Sequence, residues 1–155
     1  MANPNQFSQS VVKGLADLRF NGNIISCQVD ENQSTALVAG QCVMLKDVAG
    51  GAPVIEAIAD DEDGVFGVVV RSAKDSDFPA LSHLEIASDS CVVYMEASAA
   101  IARGAEVMPV VSGSKVATVS GNSKAKIGVA LDKAAADGDL IRVLIGKTFN
   151  FSPAA

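Results

Sequence analysis

The only histidine of the 155-residue chain is His83, so any Ser-His-Asp or Cys-His catalytic machinery would have to use it. Ser82 precedes it directly, and Asp77 lies shortly before it. A nucleophile next to its base in sequence points away from that base on a strand. We therefore interpret His83 as an ordinary loop histidine in front of a strand, and we predict that the protein has no catalytic residue and is not an enzyme.

An acidic run at residues 60–63 precedes Gly64 and has the oxygens that a cation would need. An EF-hand loop places acidic ligands at alternating positions and a bidentate glutamate at the twelfth. If Gly64 takes the sixth position of such a loop, Ala59 falls at the first and Val70 at the twelfth, and both lack ligand side chains. The sequence favours a solvated turn, with a weak oxygen-only ion site as the alternative.

The segment Gly146-Lys147-Thr148 resembles the end of a phosphate-binding loop. That loop needs another glycine five residues before the last one, where this chain has Ile141. We therefore expect no phosphate site here and no cofactor.

Three cysteines, Cys27, Cys42 and Cys91, stand in apolar surroundings typical of strands. Their odd number argues against a disulfide framework, and the absence of a Cys-x-x-Cys spacing argues against a metal site. We predict unpaired, buried thiols and no bound metal.

The composition is that of a globular domain without a nucleic-acid or membrane surface. Apolar types make up 49% of the residues and charged types 19%, and the net charge is −6. Nucleic-acid binders need a basic surface, and anionic membranes attract one too. The N-terminal residues lack the pattern of a secretory signal, and no apolar run approaches the ~20 residues of a membrane span. We expect synthesis in a cytoplasm.

Short runs of β-favouring residues, separated by glycine, aspartate, asparagine and serine, predict an all-β fold. The alternation of Ile25, Cys27 and Val29 with polar residues is typical of a half-buried strand. The predicted strands are residues 23–29, 41–46, 53–58, 65–71, 84–87, 90–96, 106–111, 115–119, 126–131 and 139–146.

The chain also contains an internal repeat. Residues 36–44 align with residues 100–108, and further along residues 67–70 align with residues 128–131. The first alignment, extended backwards, places Cys27 opposite Cys91. This pattern predicts two similar β modules that close on one core as a barrel or sandwich, with Gly40 and Gly104 in equivalent turns.

The second half carries a resemblance to a known family. Its motifs follow the progression I-x-x-G-x-x-V, then I-G-x-A-L, then A-x-x-G-D-L-x-R-V-L-I, within residues 91–96, 100–107, 113–116, 127–131 and 134–145. This order resembles the small decoration, or cement, proteins of tailed-phage capsids. The likeness covers residues 36–146. One departure is Ala105-Glu106, where the pattern has an acidic residue directly after the glycine, and it leaves the turn at Gly104 open.

The resemblance implies a compact, β-tulip-like barrel or sandwich at residues 23–147, with pseudo-repeats at about 23–88 and 90–147. It also implies a structural protein on the outside of an icosahedral phage capsid, made in the bacterial host cytoplasm. The implied partners are the major capsid protein and further copies of the chain, as a trimer rather than a dimer. Another β-rich virion component (a tail, fibre-base or head-completion module) and a small-ligand-binding β domain are the alternatives.

The two ends supply the candidate contact residues. Residues 1–22 would form an N-terminal arm and the first hairpin strand, and residues 148–155 a C-terminal tail. We interpret the first ten residues either as a frayed end or as an arm that becomes ordered on a partner. The tail either contacts another chain or packs on its own domain. The candidate contact residues are Asn3, Asn5, Gln6, Phe7, Phe149 and Phe151.

Overall fold

The computed structural model describes residues 12–17, 22–58, 64–120 and 126–146, and these ranges contain twelve β-strands and no helix. The predicted all-β fold is thereby confirmed. The strands are β1 Ile24–Val29, β2 Leu37–Val38, β3 Cys42–Leu45, β4 Val54–Ala57, β5 Gly67–Val69, β6 Asp77–Phe78, β7 His83–Ala87, β8 Val92–Glu96, β9 Glu106–Val110, β10 Lys115–Thr118, β11 Gly128–Ala130 and β12 Leu140–Ile145.

Ten of these strands lie within or beside the predicted ranges, and two were not predicted. β2 and β6 have two residues each and pair with one another. A strand of two residues is too short to show the alternation by which strands are recognised in sequence.

The strands form two similar modules. In the first module a closed barrel runs β4-β3-β5-β7-β1, and β1 pairs in parallel with β4 to close it. In the second module a five-stranded sheet runs β10-β9-β11-β12-β8, and its two outer strands meet through a parallel bridge between Ala97 and Val116. The two orders correspond strand for strand along the chain, which confirms the prediction of two similar modules.

Gly40 and Gly104 occupy equivalent turns, as predicted. Their φ angles are +80° and +83°, values that favour glycine. The N–H of Gly40 donates to the carbonyl of Val69, and the N–H of Gly104 donates to the carbonyl of Ala130, each at 2.8 Å. The turn at Gly104 therefore forms in spite of its departure from the family pattern.

The register of the first strand differs from the repeat read in the sequence. β1 and β7 place Cys27 opposite Leu84, and β8 and β12 place Met95 opposite Ile141. Cys27 thus corresponds to Met95 rather than to Cys91. The connection from β1 to the turn at Gly40 is longer than the connection from β8 to the turn at Gly104. This difference shifts the alignment of the first strands by four residues. An even shift keeps the same side chains on the inner face.

Two apolar clusters hold the modules together. The interior of the first barrel contains Cys27, Val29, Leu37, Val43, Ile55, Val69, Phe78, Leu84 and Ile86. The second cluster fills the inside of the second module and continues onto the outer face of the first. Since the two modules share this second cluster, we describe them as one packed unit.

The three cysteines are buried and form no disulfide, as predicted. The thiol of Cys91 donates to the carbonyl of Asn23 at 3.1 Å, and that of Cys27 lies 3.8 Å from the carbonyl of Ile25. Burial raises the pKa of both thiols. The neutral thiol is the less reactive form, so these residues act as small apolar side chains.

Candidate functional site

The candidate contact residues at the two ends lie outside the described part of the chain. This applies to Asn3, Asn5, Gln6, Phe7, Phe149 and Phe151, and also to the acidic run at residues 60–63. They remain predictions from the sequence.

The structure does not bring His83 together with its sequence neighbours as a catalytic group. His83 is exposed at the start of β7, opposite Gln28 of β1. The Ser82 hydroxyl donates to the carbonyl of Pro79 at 2.5 Å. The orientation of Ser82 is thus explained by a local turn.

Within the described ranges, no group of three or more histidine, cysteine, aspartate or glutamate side chains is placed to hold a metal ion. No helix long and apolar enough to cross a membrane occurs in that part of the chain. The notable features there are the contacts that residues 12–17 and the turn between β9 and β10 make with the modules.

Residues 12–17 form an additional edge beside β8. Ala16 makes an antiparallel bridge with Val93, and the N–H of Gly14 donates to the carbonyl of Tyr94 at 2.7 Å. On its other side the carbonyl of Gly14 accepts the N–H of Arg71 at 2.8 Å. This segment therefore connects the second module to the first.

A cluster of charged side chains surrounds this segment. Arg142 of β12 forms a bidentate pair with Asp132, at 2.8 and 2.7 Å, and lies 4.0 Å from Asp17. Glu96 of β8 accepts Lys115 of β10 at 2.7 Å and lies 3.8 Å from Lys13. Planar bidentate pairs fix geometry as well as charge, so Asp132 holds the Arg142 guanidinium in place beside Asp17 of the segment.

Two charged contacts lower carboxylate pKa values, one in this cluster and one at the end of β1. The hydrogen bonds from Arg142 are the largest cause of a lowered pKa at Asp132. At the end of β1, Asp30 has a lowered pKa chiefly because the Lys46 ammonium pairs with it. A hydrogen bond from the Asn32 N–H, at 2.6 Å, adds to that effect.

These pKa values predict a loss of stability in acid. A carboxyl whose pKa is lower in the folded than in the unfolded chain stabilises the fold above its unfolded pKa, near 4, and this contribution is lost as the pH falls through the folded value. We expect the melting temperature to change little between about pH 7 and 5 and to fall below about pH 4. Asp132→Asn should lower the free energy of unfolding at pH 7 by about 1 kcal/mol, and it should make the fall of the melting temperature in acid less steep.

Thermal melts from pH 2 to 7 measure this effect. Asp47→Asn, in the exposed loop after β3, is the matched control and should keep the parental slope. An Asp132→Asn variant with the parental slope and stability would show that the pair with Arg142 contributes nothing.

The modules meet where the turn between β9 and β10 lies against the first module. The carbonyl of Gly113 accepts the N–H of Cys42 at 2.8 Å, and that of Ser112 accepts the Gln41 side chain at 3.3 Å. Gly113 has φ +78°, and a Cβ there would lie 2.7 Å from both the Cys42 carbonyl oxygen and the Ile58 Cδ1. The close approach of this turn therefore depends on a residue without a side chain.

The face that receives this turn is buried and apolar. We call it the first-module face, and it belongs to the cluster that fills the second module. Its buried members are Cys42, Ile58, Val65, Val68, Val70 and Ala87, with Met44 packed against them.

The second module has an equivalent face that is half-exposed. Val129 of β11 stands opposite Leu144 of β12, as Val68 stands opposite Ala87 in the first module. Leu144 is 36% exposed, whereas Val68 and Ala87 are fully buried. We define the second-module face by its apolar residues Met108, Val119, Val129, Leu131 and Leu144.

This face was not predicted from the sequence. Its residues look like ordinary strand residues, and their exposure depends on whether another element covers the sheet. A comparison of the two repeats, position by position, could have identified it once the register was known. The second-module face is therefore a candidate binding surface.

Comparisons with known proteins agree with a structural role in a phage particle. The XM1 gp53 minor capsid protein family matches residues 12–145, a range that starts in the segment beside β8 and ends with β12. A solved structure, the head fiber gp8.5 N base in bacteriophage phi29, is similar in fold, with a TM-score of 0.57 at 12% sequence identity. The similarity covers 81% of this chain and 95% of that one. No curated protein matches. Because the family match spans both modules, the chain belongs to the XM1 gp53 minor capsid protein family.

Proposed function

We propose that this protein binds the outer surface of an icosahedral phage capsid and stabilises it by cementing neighbouring subunits of the major capsid protein. The observation that carries the proposal is the match to a minor capsid protein family across both modules. The motifs in the second half, which resemble those of capsid decoration proteins, support the same role.

The fold suits a function that requires mechanical rigidity. Two barrel-like modules share one apolar cluster, and the residue 12–17 segment connects them by backbone hydrogen bonds on both sides. Interiors packed in this way transmit strain with little deformation. A shell component under internal DNA pressure needs that property, and it needs no catalytic group.

The two ends of the chain are the proposed contact regions. Asn3, Asn5 and Gln6 offer polar groups to exposed strand edges, and Phe7 offers an apolar anchor. Phe149 and Phe151 place two further aromatic rings near the C-terminus. We propose the major capsid protein and further copies of this chain as partners, with a trimer ahead of a dimer, and the bacterial cytoplasm as the place of synthesis.

Capsids prepared with and without the protein test this role. Capsids that lack it should release their DNA at a lower temperature than complete capsids, and adding back the purified protein should restore the higher temperature. Equal opening temperatures in the three preparations would overturn the cementing role.

A head-fibre base is the second candidate, because the phi29 head fiber base has a similar fold along 95% of its length. A fibre base would carry a further component on its outer end. Electron micrographs of the complete particle would then show a projection that extends beyond the density of this protein, whereas a cement protein would end at its own domain.

A further inference from the structure

We propose that the turn between β3 and β4 of one copy docks on the second-module face of another copy, so that the contact between the two modules within a chain is repeated between chains. This deepens the homo-oligomer of the proposed function by naming its surfaces, and it rests on that part of the proposal.

Within the chain, one of the two equivalent turns is docked on the other module and the second is not. The turn between β9 and β10 lies on the first-module face through Gly113. The equivalent turn of the first module, residues 46–53, is almost wholly exposed. Cβ atoms added at Gly50 or Gly51 would find no atom within 4 Å. Each chain thus has one turn docked and one turn open.

The open turn shares the features of the docked one. Gly50 and Gly51 have φ angles of +76° and +92°, close to the +78° of Gly113. A turn of this kind can bring its backbone against a partner because no Cβ stands in the way. Val48 is 41% exposed and Leu45 is 46% exposed, which adds an apolar surface beside the glycines.

The second-module face has the chemistry of a receiving surface. Val129 and Leu144 correspond by register to Val68 and Ala87, which the docked turn and its module cover completely. Glu106 of β9 stands opposite Val129 on this face, and an ion pair with Lys126, at 2.9 Å, compensates its charge. Apolar side chains around a compensated charge are compatible with a protein–protein interface, whose surface is only partly apolar.

The partner that docks on the second-module face follows from the fact that only one turn is docked within each chain. A contact that joins two different surfaces leaves one turn and one face open on every chain, and such contacts close into rings or continue as filaments. Within a chain, the first-module face receives the turn between β9 and β10. The turn between β3 and β4 of a second copy is of the same kind and can reach the equivalent second-module face. The partner is therefore another copy of this protein.

Two substitutions at exposed positions test this arrangement. Val48→Glu places a charge on the turn, and Leu144→Glu places one on the second-module face; Leu81→Glu, at a leucine that is 58% exposed elsewhere in the first module, is the matched control. Sedimentation of the full chain over a range of concentrations measures self-association. Each of the first two variants should weaken it roughly 30-fold or more, because an unpaired charge is buried, and Leu81→Glu should leave it unchanged.

Mixing the two weakened variants gives the sharper result. Val48→Glu keeps an intact face and Leu144→Glu keeps an intact turn, so an equal mixture should form a complex of two chains and nothing larger. Full assembly by either variant alone, or no complex in the mixture, would overturn the inference. Circular dichroism and melting temperatures near the parental values show that the variants are folded.

The outcomes separate this inference from the capsid proposal. If the parent chain self-associates and both variants do so equally well, the named surfaces are wrong and the oligomer stands. A parent chain that stays monomeric overturns both the surfaces and the oligomer. Rebinding of each variant to stripped capsids, measured independently, tests the attachment to the shell.

Discussion

Gly128→Ala is expected to destabilise the protein by about 3 kcal/mol or more and to lower its melting temperature by about 10 °C. A Cβ at Gly128 would lie 1.9 Å from the carbonyl oxygen of Leu144 on the neighbouring strand. The obstacle is backbone, so relief requires β11 and β12 to separate. Thermal and denaturant unfolding of the purified chain measure the loss.

The same substitution at Gly138 is the matched control. Gly138 has φ +89° and open space around its Cβ position, so Gly138→Ala carries only the cost of a left-handed alanine, about 1 kcal/mol. Gly67, which corresponds to Gly128 in the first module, should behave like Gly128, because its Cβ would lie 2.5 Å from the carbonyl oxygen of Ala87. Equal stability of the Gly128 and Gly138 variants would contradict the close approach of these strands.

Removal of residues 1–10 is expected to weaken attachment to the capsid tenfold or more while leaving the melting temperature of the free protein nearly unchanged. Among the described residues, the backbone hydrogen bonds that connect residues 12–17 to both modules begin at Gly14, so the truncation keeps them. An extended stretch of ten residues reaches up to ~33 Å, far enough to meet a neighbouring subunit. Binding of the truncated and full chains to stripped capsids measures the difference.

Phe7→Ala should reproduce part of that loss, because Phe7 is the one large apolar side chain among the polar residues 2–10. Asn5→Ala is a suitable companion variant and should have a smaller effect, since a polar group on an extended arm contributes less than a buried ring. A truncated chain that binds capsids as tightly as the full chain would show that the arm makes no contact.

The fold could be predicted from local patterns, but the pairing of distant segments could not. Ten strands and the glycine turns are encoded in runs of a few residues, and these predictions were confirmed. Residues 12–17 pair with β8, far along the chain, and nothing in their own composition indicates that partner. The register of β1 was wrong for a related reason, since loop length rather than side-chain pattern sets the shift.

The candidate site shows the same limit. No sequence pattern distinguishes Leu144, which is 36% exposed, from Ile145, which is fully buried. The distinction depends on which face of β12 the rest of the protein covers, and that is a property of the assembled modules.

Rebinding of the purified full chain to capsids from which it has been removed tests the proposed attachment most directly, with the bound protein located by electron microscopy. A cement protein is expected to bind saturably at symmetric positions on the outer surface of the shell. Failure to bind, or density inside the shell or on the tail alone, would contradict the cementing role.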